Sequence, residues 1–266
     1  MATYSPTNTP EQNLSLLADN PYPGRLLVVG FAGEAAVLAY AVQGRSEGSR
    51  NRRLVVQDNI ASTEIANTSL TVGDPELTIY DAMRRVNDVE IVSNGNQTDR
   101  VVRYLRSGKT IAEALEATDH EPDKPNFTPR ITGFIDGDPD DDEPFIGLSV
   151  ISKNPEGEGS VRRLYTNKSK MENAVGHSPD TAKVGWSVHT YQGEGDPLPS
   201  FDEPPFTIPV HEGARDMAEM LWENMDSSNR VAVVAKTITA LGVVSFHVID
   251  KNENYNAGMT VSFARG

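Results

Sequence analysis

The stretch GRLLVVGFAGEAAVLAYAVQG, residues 24–44, holds two apolar runs of strand length separated by Ala32-Gly33-Glu34. Two such runs joined by a short glycine-bearing turn read as a β-hairpin, and a hairpin pairs its strands antiparallel. The chain repeats the pattern. RLVVQDN (53–59) is read as pairing with TSLTV (68–72), and LTIYDAMRRV (77–86) leads into EIVSNG (90–95). Further strands are read at ITGFID (131–136), FIGLSVIS (145–152), VRRLYTN (161–167), GWSVHTYQG (185–193), RVAVVAKTIT (230–239) and VVSFHVID (243–250).

Helical patterns come in separate blocks. One follows EIVSNG and stops at Gly108, a favoured residue just past a helix end. The next opens with the capping box Thr110-Ile-Ala-Glu113 and aligns Ile111 with Leu115. A third is HEGARDMAEMLWENM (211–225). Hairpins plus helix blocks predict an α+β fold of antiparallel sheets with helices packed on them, not an alternating βαβ array. Residues 1–20 are polar and without periodicity, and are expected to form a flexible lead-in. Residues 21–266 are read as one domain, with the proline-rich 193–209 a long decorated loop rather than a boundary.

The 266 residues carry a formal charge of −14 and include no cysteine. Disulfides, thiolate metal sites and a cysteine nucleophile are therefore excluded. So acidic a surface argues against a nucleic-acid partner. No apolar run is long enough to span a bilayer and the start has no signal-peptide character, so no membrane partner and a cytoplasmic location are expected. Against the acidic background, Arg45, Arg50, Arg52 and Arg53 make a basic segment that a phosphate-bearing small molecule would find. Read blandly, it is a solvated turn.

EIVSNGNQTDRV (90–101) changes from strand to helix across Ser93–Asp99, nearly all small or amide-bearing residues. Such a joint is a turn with an N-cap, or a ligand site in which the free N–H groups of a helix start meet an anion or a carbonyl. Other sites are absent. There is no GxxxxGK[ST], no GxGxxG opening a helix, no GxSxG, and no paired-ligand spacing among the five histidines. The acidic tip GDPDDDEP (137–144) fails as a calcium loop: Asp141 stands where glycine is needed, and Gly147 where glutamate is. No metal or other cofactor is expected.

Five segments remain: YPGRLLVVG, AYAVQGRSEGSRNR, YDAMRRV, VSNGNQTD, and HEPDKPNFTPRI with PFIG. In order and wording they resemble the archaeal-type IMP cyclohydrolases, over about residues 22–150, with the C-terminal part unmatched. The resemblance implies a four-layered αββα sandwich of two antiparallel sheets, like that of N-terminal-nucleophile hydrolases, used without the nucleophile. It also implies a homo-oligomer, and a purine-precursor nucleotide closed to inosinate without a cofactor. A binding relative that has lost turnover is the alternative reading. An amidase of the same fold is disfavoured, because residues 1–20 precede the first strand.

Carried over by motif, the resemblance gives Tyr80 and Glu121 to proton transfer or its orientation. It gives Arg25, Arg52, Asn94, Gly95, Asp99 and Arg130 to substrate binding. Asn51-Arg52 is the best match to the family's Asn-Arg pair, with Arg50 and Arg53 as neighbours that compete for the role. A structural ion pair of Arg130 with Asp99 or Glu121 is the competing account of that arginine.

Overall fold

The computed structural model describes residues 4–70, 74–137, 145–167, 183–252 and 259–263. Its centre is the first hairpin. β1 (Arg25–Ala32) and β2 (Ala35–Gln43) pair antiparallel from Arg25↔Val42 to Ala32↔Ala35. Gly33 takes the turn at φ 58°, a left-handed conformation that suits glycine. Nearly every residue of both strands is buried. The runs read as unbroken apolar segments because both faces of this hairpin are covered.

Around it, the described strands form two seven-stranded antiparallel sheets. The first has the order β11 (Phe206–Pro209), β10 (Lys183–His189), β1, β2, β12 (Arg230–Ile238), β13 (Val244–Asp250), β14 (Met259–Phe263). The second runs in sequence order: β3 (Arg52–Gln57), β4 (Ile60–Ile65), β5 (Tyr80–Val86), β6 (Val89–Ser93), β7 (Arg130–Asp136), β8 (Phe145–Lys153), β9 (Ser160–Asn167). The sheets share one apolar core that takes Leu27, Val29 and Leu38 from the first and Leu54, Val92 and Leu148 from the second. The layers come closest where β7 carries a glycine: a Cβ at Gly133 would lie 2.8 Å from Val29 Cγ1.

Helices cover the outer faces. α5 (Ala214–Glu223) lies on β2, β12 and β13, burying Met217 and Leu221. α3 (Gln97–Arg106) lies on β5 and β6, with α4 (Ile111–Glu116) beside it. The capping box of Thr110 with Glu113 forms, Ile111 and Leu115 are buried, and Gly108 ends α3 at φ 76°. The short α2 (Glu47–Arg50) links β2 to β3. The α+β sandwich of two antiparallel sheets between helices is thus the architecture observed.

Three readings are corrected. Residues 4–20 are not an unstructured lead-in: α1 (Pro10–Ala18) packs on β11, with Thr9 and Gln12 forming a capping box and Leu17 buried. Ahead of it Tyr4 is buried, stacked 3.7 Å from the Phe206 ring and bonded to His189 at 3.2 Å. Burial pushes His189 down to about 3, so it is a neutral core residue. The partner of β3 is β4 at 60–65, not TSLTV, because the chain reverses at Asp58 and Asn59, both at positive φ. Within 193–209 lies β11, hydrogen-bonded to β10. The acidic tip, 138–144, falls outside the described residues.

Candidate functional site

Antiparallel order gathers alternate strand ends at one edge of the sandwich. β1 begins there with Arg25, β3 with Arg52, β5 with Tyr80 and β7 with Arg130, while β6 ends there with Ser93. Strand parity then aims the side chains. Arg52 shares a face with Leu54 and Val56 and so enters the space between the sheets, whereas Arg53 turns away to an ion pair with Glu64 at 2.6 Å. Arg50 bonds the Gly44 carbonyl and Asn229. Of these three arginines, Arg52 therefore faces the cluster.

The polar joint divides its work. Asn94 is wholly buried and its side chain is used locally. Its Nδ2 donates to Pro129 O at 2.9 Å, and its Oδ1 accepts from Ile131 N at 2.8 Å and Gln97 Nε2 at 3.0 Å. Asn94 thereby pins the joint to β7. Ser93 and Thr98 bond each other through their hydroxyls. Asn96 stands at the N-cap in a helical conformation, with no side-chain cap. Among the described residues, the N–H groups of Gly95, Asn96 and Gln97 donate no hydrogen bond. The joint is thus both a pinned turn and a set of free donors at a helix start.

Gly95 is where the chain must have no side chain. A Cβ there would sit 2.6 Å from Gln97 Oε1, 2.7 Å from Arg130 Nη1 and 3.1 Å from Glu121 Oε1. Those three groups close around the glycine, and Arg130 Nη1 donates to Gln97 Oε1 at 2.8 Å. Arg130 makes no ion pair within 4.0 Å among the described residues. Glu121 is 2% exposed, and its Oε1 has no hydrogen-bond partner. Burial pushes its carboxyl up to about 7, against the opposing pull of Arg25 and Arg130.

The arginines are under-paired. Arg25 Nε and Arg52 Nε and Nη1 are buried without a partner. Burial, and then the charge of Arg25, lower the Arg52 guanidinium. Burial lowers Arg130 as well, while Glu121 and Tyr80 oppose it. At Arg25 burial also acts to lower, but Tyr80, Glu121, Tyr191 and Tyr40 outweigh it and hold the cation. Buried cations lacking partners are costly alone and suited to an anion.

Tyr80 is buried among these groups, and its hydroxyl meets that of Tyr40 at 2.6 Å. Tyr191 bonds Thr128, which is also held by Asp123, and stacks on Tyr22 at 5.9 Å. The structure thus brings Arg25, Arg52, Tyr80, Gly95, Glu121 and Arg130 together, with Asn94 as their support. Asp99 is not among them: it lies exposed in the first turn of α3. Tyr40, Gln97 and Tyr191 were missed. Parity offers a signal for Tyr40, which sits two positions from the residue paired with Arg25, on the same face.

Residues 22–242 match the model of a family described as IMP cyclohydrolase-like protein. The IMP cyclohydrolase of Methanothrix thermoacetophila is 32% identical over 120 residues, 44% of this chain and 58% of that protein. The matched part thus spans a little over half of that relative. The IMP cyclohydrolase of Methanopyrus kandleri is 29% identical over 208 residues, 73% of this chain and 96% of that protein. That of Methanosphaera stadtmanae is 26% identical over 161 residues, 57% and 77% of the two chains. The likeness extends well past residue 150, into the C-terminal part that the motifs alone left unmatched. With a family match over residues 22–242, from before β1 to the end of β12 and beyond, the chain belongs to the IMP cyclohydrolase-like family.

Proposed function

We propose that this protein closes the purine ring, converting 5-formamidoimidazole-4-carboxamide ribotide to inosinate and water in the cytoplasm. The observation that carries the reading is the convergence of Arg25, Arg52 and Arg130, the first two with unpartnered buried nitrogens, on one buried carboxyl beside Gly95. The substrate has a phosphate for guanidinium groups, and a carboxamide and a formyl oxygen for backbone N–H and amide groups.

In the first step the carboxamide nitrogen attacks the formyl carbon and gives up a proton, and the formyl oxygen becomes a hydroxyl. In the second, the formamido nitrogen loses its proton, the carbon–hydroxyl bond breaks, and water leaves as the ring C=N forms. An amide nitrogen is a weak nucleophile, so the site's task is to hold the groups in contact, stabilise the developing oxyanion and move protons. Glu121, poised near neutrality, accepts and returns the proton. Tyr80 acts at the formyl oxygen, while Arg25, Arg52 and Arg130 hold the phosphate and neighbouring oxygens. The first step is an addition and the second a loss of water, with no net oxidation or reduction, so neither oxidant nor acyl carrier enters, and the formyl group arrives from a separate enzyme.

The test is direct. Purified protein mixed with the formylated ribotide should raise purine-ring absorbance and yield inosinate. Nucleotide binding with no rate above the uncatalysed one would reduce the protein to a binding relative.

A further inference from the structure

Tyr40 and Tyr80 approach from opposite sheets, and a hydroxyl pair at 2.6 Å can run in either direction. The surroundings decide it. Tyr40 is 0% exposed, and among the described residues its hydroxyl has Tyr80 as its one hydrogen-bond partner. Were Tyr80 the donor, the Tyr40 proton would be left inside the core without an acceptor, which is costly. With Tyr40 as donor, its proton lies on the Tyr80 oxygen, and the proton left over is that of Tyr80, whose hydroxyl borders the arginine cluster where the substrate is proposed to bind.

The ring of Tyr80 is not free to answer otherwise. Its backbone N–H donates to Thr63 Oγ1 at 3.1 Å, and Thr63 in turn donates to Thr78 O at 2.7 Å. With the backbone held there and the ring packed in the core at 5% exposure, the remaining freedom is rotation of the O–H bond, and one donated hydrogen bond sets that torsion.

We infer that Tyr40 is a positioning residue for the proposed reaction, donating across the sheet interface to Tyr80 and thereby aiming the Tyr80 hydroxyl proton at the bound substrate. Burial, reinforced by Tyr80, holds Tyr40 in the protonated state that donation requires. The catalytic half of this inference rests on the cyclohydrolase reading. The direction of the hydrogen bond does not.

Two measurements test it. Thermal stability reads the direction: Tyr80→Phe strands a buried donor, whereas Tyr40→Phe leaves an acceptor whose own proton still faces the site. Tyr80→Phe should therefore melt lower than Tyr40→Phe, and the reverse order would overturn the inference. A ¹³Cζ-tyrosine label should also show the Tyr80 signal shifting in Tyr40→Phe; an unmoved signal overturns the bond itself. Turnover reads the role. Tyr40→Phe should lower kcat about tenfold to a hundredfold with KM unchanged, a part of the roughly 10²–10⁴ that a proton-transfer group supplies. The double variant should be no slower than Tyr80→Phe alone. Unchanged kcat, or losses that simply multiply, would make Tyr40 a mere clasp between sheets. If the unaltered protein proves inert, the proposed function falls and the catalytic half falls with it, while the direction is still judged by melting and label.

Discussion

Lys236, from β12 of one sheet, donates to Glu90 Oε2, from β6 of the other, at 2.6 Å inside the interface between them. Phe246 lies against the ammonium at 5.2 Å, and Arg85 Nε stands 3.9 Å from the second carboxylate oxygen. Two opposed buried charges hold each other, and removing Lys236 leaves the buried Glu90 carboxylate with the longer Arg85 contact in place of its 2.6 Å bond. Lys236→Met should cost about 3–5 kcal/mol in urea unfolding, and Lys236→Met with Glu90→Leu should cost less than the single change. A double variant weaker than the single would contradict this account.

Arg52 should trade stability for affinity. Two of its nitrogens are buried without partners, and Arg25 repels it. Replacing the charge while keeping the stem, as in Arg52→Met, should stabilise the ligand-free protein by about 1 kcal/mol or more. If Arg52 holds the phosphate as proposed, the same change removes a charge-assisted contact made equally in ground and transition states, so KM should rise about tenfold to a hundredfold with kcat little altered. Melting without ligand and steady-state kinetics check the two halves. A lower melting temperature would show that Arg52 is structural.

Glu121 should leave a signature in stability against pH. Its folded carboxyl holds a proton up to about 7, while the ordinary value is 4.5. Between those values the native state binds more protons than the unfolded chain, so stability falls as pH rises through the window. Glu121→Gln cannot titrate. Its melting temperature relative to the unaltered protein should therefore climb from pH 4.5 to about 7 and then level off. A flat difference would mean that the carboxyl is ionised throughout.

Gly95→Ala separates fold from site. The three atoms nearest its Cβ would be the ends of side chains, those of Gln97, Arg130 and Glu121. Such ends can move, so the melting temperature should change by only a few degrees, the scale of about 1 kcal/mol in a chain of this size. Displacing the bonded Arg130–Gln97 pair should nevertheless reduce kcat/KM by about tenfold or more, as loss of geometry in a preorganised site does. Retained activity would show that the glycine is not needed for the ligand.

The legible parts of the chain were those whose burial is written in apolar side chains. β1, β2 and β12 are covered on both faces and read as unbroken runs. β4 was missed because its buried positions are Ala61 and Thr63, too small and too polar to print an alternating pattern. α1 is nine residues long with its three leucines crowded into positions 14–17, and its signal lay in Thr9, Pro10 and Gln12 rather than in periodicity. At the site, VSNGNQTD suggested a ligand-facing Asp99. The helix turns Gln97 and Thr98 inward, and that phase carries Asp99 to solvent. The role of Tyr40 depends on a sheet stacked across from it, which no local pattern records.

Gly133 sets how near the two layers stand, with room for Val29 and none for a methyl. The constellation at the sandwich edge is shared between those layers: Arg25 and Tyr40 come from one, Arg52, Tyr80 and Arg130 from the other. Interlayer spacing is therefore a catalytic tolerance as well as a packing quantity. A wedge at Gly133 touches no ligand, yet it would act on the Tyr40–Tyr80 gap as a shim acts on a pair of jaws. Core positions far from the site are thus machining surfaces for it, and under the proposed function the rate of ring closure would gauge how well the two halves are seated.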